Sequence, residues 1–194
     1  KLITETELRR ACSLPWTNNP NNPPPEMTRL LKHYKRRVLA VDWGGGGEEG
    51  VSFTTIALLG YTPDNKIHVL WGKRLLTPND HLREAREIIH WVSVFDPQIV
   101  AHDYTGAGIA RETILVQAGF NLNKLMPVQY VRSASSNLIR YVEATPLHDR
   151  AHYRLDKTRS LLYVFQAIKL QLVRFFQYDR KDQDNPGLIG DFLA

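Results

Sequence analysis

The chain has 194 residues, of which 43% are hydrophobic and 23% are charged, and its net charge is +5. This composition excludes a disordered, collagen-like or coiled-coil protein, and the length suits one domain with a buried core plus appendages. The single cysteine, Cys12, excludes an internal disulfide and a cysteine-based zinc site. No apolar run approaches the ~20 residues of a membrane span and no secretory leader opens the sequence, so we expect no membrane association and no secretion.

The excess of positive charge lies in the first 37 residues, which carry eight Lys and Arg against three Glu. Prolines and asparagines crowd residues 15–25, and proline both fixes φ and removes a hydrogen-bond donor. We therefore predict that residues 1–36 form a basic, Pro/Asn-rich arm and that residues 37–194 form the folded domain. Because the sequence does not begin with methionine, it is expected to be a piece of a longer protein.

The first elements of the domain are predicted to be strands. Residues 38–42 are a short apolar run closed by glycines, which is typical of a buried strand that ends in a loop. Two β-rich runs, 51–61 and 66–76, are separated by turn-forming residues and predict a hairpin. Apolar residues then recur at helical spacing after a proline-containing start, which predicts a helix over 77–95.

The pattern of the first strand recurs at 98–103, an apolar run that also ends in an aspartate followed by glycines. A helix at 109–118 and a strand at 125–131 follow. Residues 132–155 are polar, basic and without clear periodicity, so they predict a long loop or an irregular hairpin. A last core helix begins at Asp156, a residue type that favours helix N-caps. This order predicts a mixed α/β fold with a five-stranded sheet, in which antiparallel hairpin strands lie beside parallel strands and helices flank the sheet.

Two aspartates, Asp42 and Asp103, end the two short apolar strands. If these strands are adjacent and parallel, a strand spacing of about 4.8 Å brings both carboxylates close enough to bind one cation. Oxygen ligands of this kind favour Mg²⁺ or Mn²⁺. The alternative is that each aspartate merely caps a turn. The basic residues between 132 and 159 suggest a polyanionic partner held through phosphate contacts, although a solvated basic surface has the same composition.

Together with the predicted hairpin, four segments resemble the nuclease domain of the large terminase subunit of tailed bacteriophages, which belongs to the RNase H-like, RuvC-type nucleases, and the resemblance covers about residues 35–194. The four segments are residues 36–44 (RRVLAVDWG), 100–108 (VAHDYTGAG), 155–159 (LDKTR) and 190–193 (GDFL). The resemblance implies an RNase H-like sheet and an endonuclease that cuts concatemeric viral DNA during genome packaging. It also implies that the arm connects to an absent ATPase motor domain, since no Walker A sequence occurs here.

The resemblance further implies two Mg²⁺ or Mn²⁺ ions held by three acidic residues. Asp42 and Asp103 match the first two ligands. Asp191 is our choice for the third, although Asp179, Asp182 and Asp184 lie nearby. The expected partners are double-stranded DNA, the motor domain, the small terminase subunit and the portal, and the expected location is the host cell cytoplasm. The residues expected to hold the DNA backbone are Arg132, Arg140, Arg150, Arg154 and Lys157.

Three alternatives stay open at the level of sequence. Another RNase H-like nuclease, such as a junction resolvase, would prefer branched DNA. An actin-like or sugar-kinase fold would bind ATP, although the chain lacks a second phosphate loop of that kind. A nucleic-acid-binding or motor-docking module without catalysis would leave the aspartates with a structural role only. His102 alternates with Asp103 along the strand, so packing is a better interpretation for this histidine than metal ligation.

Overall fold

The computed structural model describes residues 2–44, 53–77, 80–132, 137–146 and 150–177. The Gly-rich loop after Gly44, the predicted charged turn at 179–185 and the closing segment at 188–193 lie outside these ranges. The helices of the described part are α1 (Glu5–Ala11), α2 (Pro25–Leu30), α3 (His81–Phe95), α4 (Ala107–Gln117) and α5 (Lys157–Lys169). Its strands are β1 (Arg36–Asp42), β2 (Thr54–Tyr61), β3 (Ile67–Leu75), β4 (Ile99–Asp103), β5 (Leu125–Val131), β6 (Ile139–Val142), β7 (His152–Asp156) and β8 (Val173–Phe175).

These strands form one mixed sheet in the order β6-β7-β5-β4-β1-β2-β3-β8. β1, β4, β5 and β7 run parallel to one another, while β2 pairs antiparallel with both β1 and β3. The mixed α/β class and the antiparallel hairpin beside parallel strands are therefore confirmed. The predicted number of strands was too low, because the described sheet has eight rather than five. The additional strands are β6, β7 and β8, which are all short.

The main core lies on one face of the sheet, which we call the core face. Helices α3 and α4 cover this face and pack against buried strand residues such as Leu39 and Val100. An aromatic group anchors the packing, with the ring of Trp71 4.6 Å from that of Trp91 and 4.9 Å from that of Phe95, measured between centroids. Burying side chains of this size contributes about 1.5–3 kcal/mol each. The central part of the core face is thus covered by two helices.

The opposite face of the sheet carries a smaller cluster. Helices α1 and α5 pack there against β8, with Leu8, Ile168 and Phe175 among the buried side chains. The first-turn residues of α5 are ordered by Asp156, whose side chain accepts the backbone N–H of Arg159 (2.9 Å), as the N-cap prediction requires. Most of the apolar side chains further along α5, including Leu161, stay exposed. This face is therefore only partly covered in the described part of the chain.

The arm packs against the sheet on the β3 side. Trp16 Nε1 donates to the carbonyl oxygen of Leu70 (2.9 Å), and the side-chain amide of Asn18 pairs with both backbone groups of Gly72. Met27 is completely buried in the main core. The arm therefore contacts the domain more extensively than its proline content predicts. Its role as a connector to a motor domain stays a prediction. Among the described helices, none combines the length and apolar character that a membrane span requires.

Candidate active site at the carboxyl ends of the parallel strands

Asp42 and Asp103 lie side by side at one edge of the sheet. β1 and β4 are adjacent and parallel, with Val41 opposite His102, so the next residue of each strand is an aspartate on the same face. We call this face, opposite the core face, the carboxylate face. Asp42 is exposed and Asp103 is half-buried. The structure thus brings together the two side chains that the sequence predicted to meet.

The charges of the two carboxylates act on each other. Partial desolvation raises the pKa of Asp42 above its usual range, the negative charge of Asp103 raises it further, and Lys157 partly opposes both. The pKa of Tyr130 is also raised, first by burial and then by the charges of Asp103 and Asp42. The two carboxylates therefore repel each other, and a bound cation would relieve that repulsion.

The turn after Asp103 fixes this carboxylate. Its Oδ1 accepts the backbone N–H of Thr105 (2.9 Å), and Gly106 takes a positive φ of 55°. A Cβ at Gly108 would overlap the carbonyl oxygen of Asp103, so only glycine lets α4 begin this close to the strand end. The glycines that follow the second aspartate in the sequence thus have a defined structural reason.

The donor set agrees in part with the metal centre that the resemblance implies. Two hard carboxylate oxygens that repel each other are suitable ligands for Mg²⁺ or Mn²⁺. Within the described ranges, no third His, Cys, Asp or Glu completes a group of three potential ligands. Asp191, the predicted third ligand, lies outside the described residues, as do Asp179, Asp182 and Asp184.

Two of the five predicted DNA-binding residues lie at the same edge as the carboxylates. Arg132 follows the end of β5, and Lys157 follows the end of β7. Both line a groove of about 350 Å³, together with Tyr130, Val131, Thr158 and Leu161. The ammonium of Lys157 also stands 5.8 Å from the centroid of the Tyr130 ring. Positive charge is thus available directly beside the carboxylate pair.

The structure does not bring the other three arginines to this edge. Arg140 and Arg154 are opposite each other on β6 and β7 and lie on the core face, where Arg154 Nε donates to Gln129 Oε1 (3.0 Å). Arg150 Nε donates to Glu112 Oε1 (2.9 Å) in a partly buried ion pair. DNA binding by these three residues stays a prediction, and their charges are separated from the carboxylates by the sheet or by an internal partner.

A buried polar network behind the site was not foreseen from the sequence. The Nε2–H of His102 donates to Glu112 Oε2 (2.7 Å), and Trp43 Nε1 donates to His102 Nδ1 (3.4 Å). That Nδ1 also lies 3.1 Å from the carbonyl oxygen of Asp103. The packing role predicted for His102 agrees with its burial, since only 2% of the residue is exposed. The missed signal was Glu112, a charged residue on the buried face of α4.

A second ion pair of the same kind lies nearby. Arg111 NH1 donates to Glu84 Oε1 (2.6 Å) and also contacts His81, and its NH2 donates to the carbonyl oxygen of Gly44 (3.3 Å). These contacts link α3, α4 and the end of β1 just behind Asp42. Both strand ends that carry the aspartates are therefore supported by polar contacts from the core face.

No protein-family model matches the chain, and no curated protein matches it in sequence. Solved structures do match in fold. The human cytomegalovirus terminase nuclease domain is similar at a TM-score of 0.55 and 11% identity, over 98% of this chain and 83% of that one. A mutant nuclease domain of the large terminase subunit gp2 of bacterial virus Sf6, solved with manganese and beta-thujaplicinol, is similar at a TM-score of 0.50 and 15% identity, over 93% and 76%. The chain therefore shares the fold of these two terminase nuclease domains, as the resemblance of its sequence predicted.

Proposed function

We propose that the chain is a metal-dependent DNA endonuclease that cuts concatemeric viral DNA during genome packaging, as the nuclease domain of a large terminase subunit. The observation that carries this proposal is the juxtaposition of Asp42 and Asp103 on adjacent parallel strand ends. The fold that the chain shares with two terminase nuclease domains supports the same class of activity. No contact in the described residues favours the kinase-like or the purely structural alternative over it.

Asp42, Asp103 and Asp191 would hold two Mg²⁺ or Mn²⁺ ions. The Sf6 nuclease domain was solved with manganese, which agrees with this choice of cation. When bound, such ions supply an activated water and stabilise the leaving oxygen of the phosphodiester. The part of this chain is to keep the two carboxylates in place, through the Thr105 N–H on one side and the strand pairing on the other.

Positive side chains would hold the DNA backbone. Lys157 and Arg132 are at the edge where the phosphate next to the carboxylates has to lie. Arg140, Arg150 and Arg154 would then contribute at most to more distant contacts. The proposed substrate is double-stranded DNA, and the proposed partners are the ATPase motor domain, the small terminase subunit and the portal in the host cell cytoplasm.

The test is plasmid cutting by Asp42→Asn in Mn²⁺. We expect the cutting rate to fall by more than about 100-fold while DNA binding is unchanged. Substitution of residues that only support a metal ligand costs about 10–100-fold, and loss of the ligand itself should cost more. Asp64→Asn, in the turn between β2 and β3, is the matched control and should cut at the wild-type rate. Cutting by Asp42→Asn at the wild-type rate would exclude the proposed centre.

A further inference from the structure

Three tyrosines form an aromatic surface beside the carboxylate pair, which we call the aromatic shelf: Tyr130 and Tyr141, which are exposed, and Tyr153, which is half-buried. Tyr141 and Tyr153 are directly opposite each other on β6 and β7, with ring centroids 5.2 Å apart. Tyr141 is 53% exposed and Tyr130 is 40% exposed. Large aromatic rings usually lie in the core, as Trp71 does here, so neighbouring rings that reach solvent suggest a binding surface.

The register of the sheet puts the shelf on the carboxylate face. Asp103 pairs with Val128, Val128 pairs with Tyr153, and Tyr153 pairs with Tyr141. Paired residues of neighbouring strands share a face, and three strand spacings amount to about 14 Å. Tyr130 lies two residues beyond Val128 and therefore also shares this face. A strand of DNA lying across the carboxylates can thus reach all three rings.

The charges along this path favour a nucleic acid strand over an apolar partner. Lys157 lies over the ring of Tyr130 at 5.8 Å, and Arg132 lines the same groove. Cations that follow the backbone and aromatic rings on which bases stack are the two features of surfaces that bind single-stranded nucleic acids. Duplex DNA offers its bases only at the groove edges, so exposed ring faces suit bases that are unpaired.

We propose that the aromatic shelf binds unpaired nucleobases of the DNA strand whose backbone lies at Asp42 and Asp103. This inference rests on the proposed function and specifies its substrate, a DNA strand separated locally from its complement next to the cut. Base stacking on Tyr141 and Tyr153 holds the strand independently of sequence, because every base has an aromatic face. Lys157 and Arg132 hold the phosphates between the stacked bases and the carboxylates.

The experiment compares two labelled strands of the same length, ~16 nucleotides, one of thymidines and one of abasic sites. Both carry the same phosphates, but only one has bases. Fluorescence anisotropy with the full chain in EDTA should give at least about 5-fold tighter binding of the thymidine strand. Tyr141→Ala should abolish this preference, and Tyr141→Phe should keep it because the ring remains.

The matched control is Tyr163→Ala, since Tyr163 on α5 is 53% exposed like Tyr141 but lies outside the shelf. This variant should keep the wild-type preference. Circular dichroism reports whether each variant folds, and Tyr141→Leu, which keeps apolar bulk without an aromatic face, replaces Tyr141→Ala if that variant does not fold. Equal binding of both strands by the wild type would overturn the proposal. The same result is expected if the shelf instead binds a second copy of this chain or another protein.

Plasmid cutting in Mn²⁺ is measured separately, so that the two proposals fail independently. If the protein cuts plasmid but binds both strands equally, the proposed nuclease function stands and the proposed role of the shelf is wrong. If the protein prefers the thymidine strand but does not cut plasmid, the proposed role of the shelf stands and the proposed nuclease function is wrong. An equal loss of preference in Tyr163→Ala and Tyr141→Ala would also overturn the shelf.

Discussion

The carboxylates on the two faces of the sheet differ in whether they are paired with basic side chains. On the core face, Glu84 and Glu112 are buried and each is bonded to an arginine, at 2.6 and 2.9 Å. On the carboxylate face, Asp42 and Asp103 are near each other, and between described residues no ion pair joins either of them to a basic side chain. The carboxylates of the core face are thus neutralised by basic side chains of the chain itself, whereas Asp42 and Asp103 repel each other and Lys157 opposes that repulsion only in part.

This difference distinguishes carboxylates that stabilise the fold from carboxylates that are available to bind a cation. A buried carboxylate without a partner is strongly destabilising, so the acids behind the strand ends are paired for stability. The exposed pair keeps its mutual repulsion, which an external cation relieves. If this interpretation is right, neutralising an acid should destabilise the fold on the core face and stabilise it on the carboxylate face.

The largest effect is expected from Glu112→Gln on the core face. The substitution leaves Arg150 without its anion and weakens the hydrogen bond to His102, so the free energy of unfolding should fall by about 3 kcal/mol. Urea unfolding followed by circular dichroism measures this change. Glu26→Gln, at an exposed position in α2, is the matched control and should leave the urea midpoint unchanged. An equally small change for Glu112→Gln would mean that the network adds nothing to stability.

The same residue sets part of the pH dependence. Burial alone would raise the pKa of Glu112, but hydrogen bonds from His102 and Arg150 outweigh it and hold this pKa below the ordinary value of 4.5. The stabilisation by Glu112 is therefore complete above the pKa of the unfolded chain and is lost as the pH falls through the lowered value. The difference in urea midpoint between wild type and Glu112→Gln should be constant above about pH 5 and shrink below it. A difference that grows on acidification would refute the assignment.

Lys157→Ala tests the positive charge at the edge of the carboxylate face. Removing one phosphate contact should reduce the slope of log affinity against log salt by about 1 and weaken duplex binding about 10-fold at about 0.1 M salt. Lys66→Ala, which removes a lysine paired with Asp64 (2.7 Å) in the β2–β3 turn, is the control. Titrations of labelled duplex at several salt concentrations measure both slopes. If both variants have the same slope, Lys157 does not contact the DNA.

The sequence predicted the carboxylate pair because the relevant signals are local. Each aspartate follows an apolar run and precedes glycines, and the rule that crossovers between parallel strands are right-handed limits how the two runs pair. The helix cap at Asp156 is of the same local kind, and its side chain accepts the backbone N–H of Arg159 as expected. Features written into a few consecutive residues were therefore recovered.

Features that depend on partners distant in the sequence were not predicted. β8 is a three-residue strand that exists because the edge of β3 pairs with it, and Trp16 is buried because its indole reaches Leu70, 54 residues away. The predicted role of Arg140 and Arg154 near the carboxylates required the register of β6 and β7, since a shift of one residue exchanges the two faces. Composition shows how many arginines a segment has, and only register shows which face they occupy.

The smallest effect, and the sharpest contrast between the faces, is expected for Asp42→Asn in EDTA. Like charges directly opposite each other on neighbouring strands cost about 0.2–1 kcal/mol, so this variant should be more stable than wild type by that amount. Asp64→Asn should change stability in the other direction, because hydrogen bonds from Lys66 and Thr62 lower the pKa of Asp64 to about 2.

Thermal unfolding with and without Mn²⁺ distinguishes repulsion from other causes. Ligand that binds only the folded state raises its stability, so Mn²⁺ should raise the melting temperature of the wild type and leave that of Asp42→Asn nearly unchanged. The order of stability in EDTA would then reverse in Mn²⁺. A variant less stable than wild type in EDTA would show that Asp42 supports the strand end, as Glu112 does, and the two faces would no longer differ in how they use their acids.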